Sequence, residues 1–287
     1  MNVELAEERI LVLTEKFSME HAEGRAWTKR IEAFGAMAAL GGFLSKPRDD
    51  EFKTIYRERR LQPFWRLATT ATYAYERTRT HHLALGPEVT AIDLCGQTLP
   101  AAGGKVALTA LEHCHEERRR VQLIDGLTGQ AHADYASYLA FEAAEASAES
   151  LAALAAADTI VVPPQARGSM LVRDALSQAI GKIDADTVLE ETVRLDAVDL
   201  YYRPIYAFRY RRAGKEAVVE FDALTGAIRA QGGSTFEQHL GKAMDPKFLL
   251  DIGAEAANLF IPGATIAKIA IVKGLEYREQ QRLKGTP

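Results

Sequence analysis

The densest group of chemically versatile side chains in the sequence is His113, Cys114 and His115, with Cys95 upstream. Imidazole and thiolate groups are ligands that zinc prefers, and structural zinc sites normally pair them two to four residues apart. Neighbouring residues on a strand point to opposite faces, so the two histidines can converge while Cys114 points away. We therefore expect a polar strand end with a buried thiol, and keep these four residues as the candidate metal ligands.

The same residues carry the enzymatic alternative, a thiol- or metal-dependent hydrolase. A catalytic cysteine needs a histidine that meets it in space, and no recognisable nucleophile loop surrounds Cys114. The sequence also lacks the GxSxG, HExxH, Walker and dinucleotide-binding motifs. We therefore name no catalytic residue, cofactor or small-molecule substrate, and prefer a non-enzymatic role while leaving catalysis open.

Arginines stand beside aromatic rings in four segments, Tyr56–Arg60, Trp65–Arg66, Tyr75–Arg79 and Tyr201–Arg212. Cations combined with stacking rings are the groups that hold single-stranded nucleic acid. The chain lacks the basic stripe that phosphate contacts require, and the aromatic residues of the last segment share one strand face, as in a core. Nucleic-acid binding is therefore a lesser alternative, with candidate contacts at Arg59, Arg60, Arg66, Arg209 and Arg211.

Two apolar stretches near the ends of the chain, 31–44 and 260–272, are the main candidates for an interface. Neither is long and uninterrupted enough to cross a bilayer, which takes about 20 apolar residues. We expect both to pack as helices in a homo-oligomer or against a protein partner, with docking on a membrane surface as an alternative. The interaction residues predicted from these stretches and the helix before the second are Phe34, Gly35, Leu40, Phe43, Phe248, Ile252, Phe260, Ile266 and Ile269.

The composition excludes several classes of protein. Of 287 residues, 47% are hydrophobic and 26% charged, which excludes a disordered, collagen-like or purely coiled-coil chain. The net charge of −4 hides an asymmetry: residues 131–199 carry 4 basic and 12 acidic side chains, whereas residues 200–287 carry 13 and 9. Two cysteines and no export signal favour a cytosolic location, and association with the periphery of a membrane is the alternative.

The periodicity of apolar residues predicts an α+β fold. Apolar spacing predicts helices over 3–21, 25–44, 51–60, 169–182 and beyond 245, and 13 alanines in the 27 residues 131–157 predict one long helix. Alternating apolar residues predict strands over 61–75, 89–94, 105–111, 119–124, 159–162, 189–198, 200–212 and 217–221. On two of these strands the large side chains share one face: Trp65, Leu67, Tyr73 and Tyr75, and the even positions from 200 to 210.

An internal repeat links two of the predicted strand ends. Residues 119–129 and 216–226 share a pattern in which Asp125 and Asp222 are each followed by leucine, threonine and glycine at the same spacing. Such a segment predicts a strand that ends in a tight turn, because aspartate accepts backbone hydrogen bonds and glycine adopts positive φ. The antiparallel units are therefore candidates for a duplication.

The second copy of this pattern resembles the PepSY type of small domain. That family ends a helix-plus-hairpin unit with aspartate, two residues, threonine and glycine, which correspond here to Asp222, Thr225 and Gly226. The resemblance covers Ser169–Ile228 at most. It implies a binding or inhibitory module rather than a catalyst.

These observations combine into one hypothesis. We expect a helical segment 1–60, a β unit with an alanine-rich helix 61–165, a PepSY-like unit 166–232 and a helical segment 233–287. The expected function is that of a non-enzymatic cytosolic scaffold that self-associates through its apolar terminal helices.

Overall fold

The computed structural model describes residues 2–35 and 48–232. They form an α+β fold in which strands predominate. The helices are α1 (Met19–Lys29), α2 (Ala148–Ala156) and α3 (Gly168–Ala179), with short 3-10 helices at Glu32–Phe34, Asp49–Glu51 and Ala133–Ala140. The strands are β1 (Asn2–Leu5), β2 (Glu8–Leu13), β3 (Lys53–Ala84), β4 (Ala91–Leu94), β5 (Gln97–Pro100), β6 (Lys105–Asp125), β7 (Ala143–Ala146), β8 (Thr159–Val161), β9 (Thr187–Arg212), β10 (Lys215–Asp222) and β11 (Ile228–Gly232).

The antiparallel pair of β3 and β9 is the centre of one mixed sheet, which has nine strands within the described ranges. On its other side β3 pairs antiparallel with β6 and parallel with β8. The other side of β9 pairs antiparallel with β10 and parallel with β1 and β2. β7 extends the sheet beyond β2, β11 extends it beyond β10, and β4 and β5 form a separate hairpin.

Several predicted helices are wrong. The predicted helix 3–21 is β1 and β2 followed by the start of α1, and the predicted helix 51–60 is mostly the beginning of β3. The alanine-rich stretch is a 3-10 helix, β7 and the short helix α2 in succession. In each case pairing with a distant strand outweighs local helix propensity, which amounts to less than about 1 kcal/mol per residue.

The predicted strand faces are confirmed. Trp65, Leu67, Tyr73 and Tyr75 are buried together in the main core, and the even positions from 200 to 210 of β9 are all buried. α1 contacts β10, while α3 contacts β3. The strands predicted separately over 105–111 and 119–124 are one strand, β6, and those over 189–198 and 200–212 are one strand, β9.

The two turns predicted as a repeat have the same structure. The Oδ1 atom of each aspartate, Asp125 and Asp222, accepts hydrogen bonds of 2.9–3.0 Å from the amides two and three residues on. Gly129 and Gly226 follow with φ of 71° and 74°, and each donates its amide to its aspartate's carbonyl at 2.9 Å. The sequence repeat is therefore a structural repeat at these turns.

The correspondence extends to the strands and helices around the turns. The indole of Trp65 on β3 donates to the carbonyl of Ala166 before α3, just as the hydroxyl of Tyr206 on β9 donates to the carbonyl of Phe17 before α1. β8 runs parallel to β3 as β2 runs parallel to β9. The unit β2–α1–β3–β6 thus corresponds to β8–α3–β9–β10, and the first strand of each unit pairs with the hairpin of the other.

Candidate functional site

A buried polar cluster lies where the two repeats meet. Arg203 on β9 is 6% exposed and stands opposite Gln62 on β3. Its Nη1 atom donates to the hydroxyl of Tyr138 at 2.9 Å and to Asp222 at 3.3 Å, and its Nη2 atom donates to Gln62 at 2.8 Å. The Tyr138 hydroxyl in turn donates to Asp222. The buried guanidinium is therefore neutralised by a carboxylate and held by hydrogen bonds.

The 3-10 helix Ala133–Ala140 connects this cluster to the other turn, because Tyr135 donates its hydroxyl to Asp125 as Tyr138 does to Asp222. Burial acts to raise the pKa of Asp125, but the Tyr135 hydroxyl and the turn amides outweigh it and lower that pKa. The adjoining cavity, about 30 Å³, has room for roughly one water molecule. These groups bind one another, so the cluster stabilises the junction of the repeats.

A second cavity in the described part of the chain lies at the outer edge of β6. It has a volume of about 650 Å³ and is open to solvent. α3 forms one wall. The 3-10 helix and the segment that leads into it form another wall, and five consecutive residues of β6 form the floor. The lining residues are Arg120, Val121, Gln122, Leu123, Ile124, Gly129, Ala131, His132, Ala133, Ala136, Leu139, Leu171, Asp174 and Gln178.

The outer edge of β6 pairs with the segment 130–132 at its C-terminal end and, among the described residues, has no strand partner before Leu123. The Leu123 carbonyl accepts from the His132 amide, and the Asp125 amide donates to Gln130, so these odd positions point away from β3. Backbone groups alternate along an antiparallel strand, and the β3–β6 register is continuous from Phe64 opposite Asp125 outward. The amides and carbonyls of the odd-numbered β6 residues before Leu123 therefore point away from β3, to the outer edge of the strand.

The side chains around this edge combine apolar and polar groups. Leu123, Leu139 and Leu171 supply apolar walls, and Val121 is 56% exposed. Gln122 donates to Gln178 on α3 at 2.9 Å, which joins the strand to the helix. Such a mixture of apolar surface with a few polar groups is typical of ligand-binding clefts.

The charged residues 116–120 of β6 lie at the N-terminal side of the cavity floor. Arg118 donates to Glu116 at 2.5 Å, and Arg119 donates to Glu117. Arg120 is exposed and forms no ion pair within the described ranges. Hydrogen bonding to Arg118 lowers the pKa of Glu116, so this carboxyl is ionised.

The four candidate metal ligands do not converge. His113 and His115 are exposed, whereas Cys114 is half-buried on the opposite face of β6, opposite Tyr75 on β3, as predicted. Cys95 lies exposed in the turn between β4 and β5, with φ of 50°. Across residues 2–35 and 48–232, no group of three or more His, Cys, Asp and Glu side chains could hold a metal ion.

The five arginines predicted as nucleic-acid contacts all donate to carboxylates. Arg60 is 1% exposed and binds Glu58 and Glu220. The other pairs are Arg59 with Glu15, Arg66 with Asp199, and Arg209 and Arg211 with Glu216. The structure therefore places these guanidiniums in ion pairs along the sheet.

Of the predicted interface residues, Phe34 and Gly35 lie in the described part of the chain. Phe34 packs against the core around α1, with its ring 5.9 Å from that of Phe52, and Gly35 has φ of 98°. The remaining predicted residues, Leu40, Phe43, Phe248, Ile252, Phe260, Ile266 and Ile269, lie outside the described residues.

A buried carboxyl group on β2 was not predicted. Glu8 lies on the same strand face as Ile10 and Val12, which pack against the main core. Its Oε1 atom is buried and accepts no hydrogen bond from the described residues. Burial raises the pKa of Glu8 to about 7, and burial together with the Glu8 charge raises the pKa of Tyr202. The group changes its charge near neutral pH.

The cavity was not predicted from the sequence. Its floor lies at a strand edge whose pairing depends on the assembled sheet, and the wall formed by α3 comes from more than 40 residues further along the chain. Val121, an exposed valine directly after three arginines, is the one local anomaly that marks it.

Comparison with known proteins yields no relative: no family model, no curated protein and no solved structure matches the chain. Within the described ranges, no helix is both long enough and apolar enough to span a membrane.

Proposed function

We propose that this chain is a non-enzymatic protein-interaction module that binds an extended polypeptide segment along the open edge of β6. The observation that carries the proposal is the position of the cavity, whose floor is a strand edge with backbone groups directed outward. An extended peptide is the ligand that satisfies such an edge, because it supplies alternating amides and carbonyls at the strand spacing.

The surroundings of the edge support an added strand. The segment 130–132 already pairs with the end of β6 through the bridge between Ile124 and Ala131. A ligand strand would continue from where this segment leaves the edge, next to Val121 and Arg119, at about 4.8 Å from β6. Its side chains would alternate between the wall of α3 and the wall of the 3-10 helix.

The chemistry of the walls favours a segment with apolar residues at alternate positions. Leu123 and Leu139 lie on the side of the 3-10 helix. On the side of α3, Leu171 is accompanied by the exposed polar residues Asp174 and Gln178. We expect apolar ligand side chains toward the 3-10 helix and polar or basic ones toward α3.

A selection experiment tests this function. The full chain is panned against displayed random dodecapeptides, and the affinity of an enriched peptide is measured by fluorescence polarisation. Ala136→Trp fills the cavity from an exposed position of the 3-10 helix, and Ala140→Trp is the matched control on the same helix away from the cavity. We expect Ala136→Trp to weaken binding at least about tenfold and Ala140→Trp to leave it unchanged. Absence of enriched peptides, or equal binding by both variants, would contradict the proposal.

A further inference from the structure

We infer that a second copy of this chain occupies the β6 edge, with the two β6 strands antiparallel about a two-fold axis at Arg118. This inference rests on the proposed function, because it names the partner of the same edge. It requires that residue i of one copy face residue 236 − i of the other, so that odd positions, whose backbone groups point outward, face odd positions.

The charge pattern of β6 selects this register. Residues 116–120 read Glu-Glu-Arg-Arg-Arg. Pairing about Arg118 places Glu116 opposite Arg120 and Glu117 opposite Arg119, each twice because of the two-fold symmetry. The four pairs divide between the two faces of the joined sheet, since successive residues point to opposite faces. Opposite charges facing each other across strands stabilise pairing.

The neighbouring registers are unfavourable. An axis at Glu117 sets Glu117 against its own copy and retains only the two pairs of Glu116 with Arg118. An axis at Arg119 sets Arg118 against Arg120 twice and makes no pair of opposite charges. Charged residues on a strand edge normally prevent pairing with other chains. Here the same charges form four attractive pairs in the register about Arg118, two in the register about Glu117 and none in the register about Arg119.

The groups at the axis support the arrangement. Two Arg118 side chains would face each other, but each already donates to its own Glu116 and lies 5.3 Å from the Tyr73 ring. Arg120, which forms no ion pair within the described residues, would gain Glu116 of the second copy.

The length of the paired segment is limited by hydrogen bonds that β6 already makes. Seven residues of each copy, 115–121, would pair and form about eight main-chain hydrogen bonds. Beyond them the Leu123 carbonyl is already engaged by the His132 amide. The second copy's residues before 115 would enter the cavity, with its Cys114 opposite Gln122.

Charge reversal tests the inference on the full chain. Sedimentation equilibrium at 1–100 µM protein in 50 mM salt compares wild type, Glu117→Arg, Arg119→Glu and the double variant. Each single reversal places like charges opposite each other twice, and the double variant restores opposite charges. Glu7→Arg, at an exposed position on the far side of the sheet's centre, controls for the change in net charge.

We expect a wild-type dimer whose dissociation constant rises at least tenfold in each single variant and returns to within threefold in the double variant. A monomeric wild type at 100 µM would overturn the inference, and so would a dimer that the single reversals leave unchanged. In either case, peptide binding that is sensitive to Ala136→Trp would leave the proposed function standing. If neither the β6 dimer nor peptide binding sensitive to Ala136→Trp is observed, both this inference and the proposed function are overturned.

Discussion

Replacing Glu8 by glutamine should remove a pH-dependent weakness of the fold. Glutamine has the shape of the neutral acid and carries no charge. Burial raises the pKa of Glu8 from 4.5 to about 7, so the folded chain binds this proton more tightly than the unfolded chain does. Below pH 4.5 Glu8 is protonated in both the folded and the unfolded chain, so it does not destabilise the fold. As the pH rises from 4.5 through 7, the free energy of unfolding falls.

The size of the effect follows from that difference in pKa. A rise from 4.5 to about 7 corresponds to an upper limit of about 3 kcal/mol in the free energy of unfolding. Glu8 is partly exposed as a residue, and solvent screening reduces the expected loss to about 2 kcal/mol. This loss is large against a total of about 5–15 kcal/mol for a typical domain.

Urea denaturation followed by tryptophan fluorescence measures the effect at pH values from 5 to 8.5. The difference in free energy of unfolding between Glu8→Gln and wild type should increase by about 2 kcal/mol, in favour of the variant, from the lowest to the highest pH. Glu7→Gln is the matched control, because Glu7 is the exposed neighbour on the same chain segment. If Glu8→Gln and wild type stay within 0.5 kcal/mol of each other, here taken as roughly the error of the method, the interpretation of Glu8 is wrong.

Two further predictions concern other parts of the molecule. Asp222→Ala should lower the free energy of unfolding by about 3–5 kcal/mol, since it leaves the buried Arg203 without a carboxylate. Asp125→Ala, at the equivalent turn, should cost about 1–3 kcal/mol because only neutral donors lose their acceptor; equal losses in urea denaturation would contradict this difference. In a thiol-reactivity assay, the exposed Cys95 should react at least about ten times faster than the half-buried Cys114, and equal rates would be inconsistent with the strand faces assigned to them.

Local signals predicted the buried faces of the two central strands and the two aspartate turns. The alternation around Trp65 and from Leu200 to Tyr210 identified faces that are buried, because a period of two residues leaves one face for the core. The aspartate and glycine of each turn predicted its hydrogen bonds, because this chemistry is contained within five residues.

Distant pairing explains the errors. β2 lies in the sheet because β9 pairs with it from 190 residues away, and no local pattern records that partner. The alanine-rich stretch is interrupted because Tyr135 and Tyr138 bind the two turn aspartates and because β7 pairs with β2. The open edge of β6 is a property of the assembled sheet, so its role could not be predicted from residues 105–125 alone.

Amide hydrogen exchange along β6, resolved residue by residue by NMR, tests the central claim most directly. In dilute protein, the amides of Arg119 and Val121 point to the free edge and should exchange rapidly, whereas those of Arg118 and Arg120 are bonded to β3 and should be protected. Adding a selected peptide, or raising the protein concentration, should protect Arg119 and Val121 at least about tenfold and leave their even-numbered neighbours unchanged. Odd-numbered amides that stay unprotected under both conditions would contradict the account.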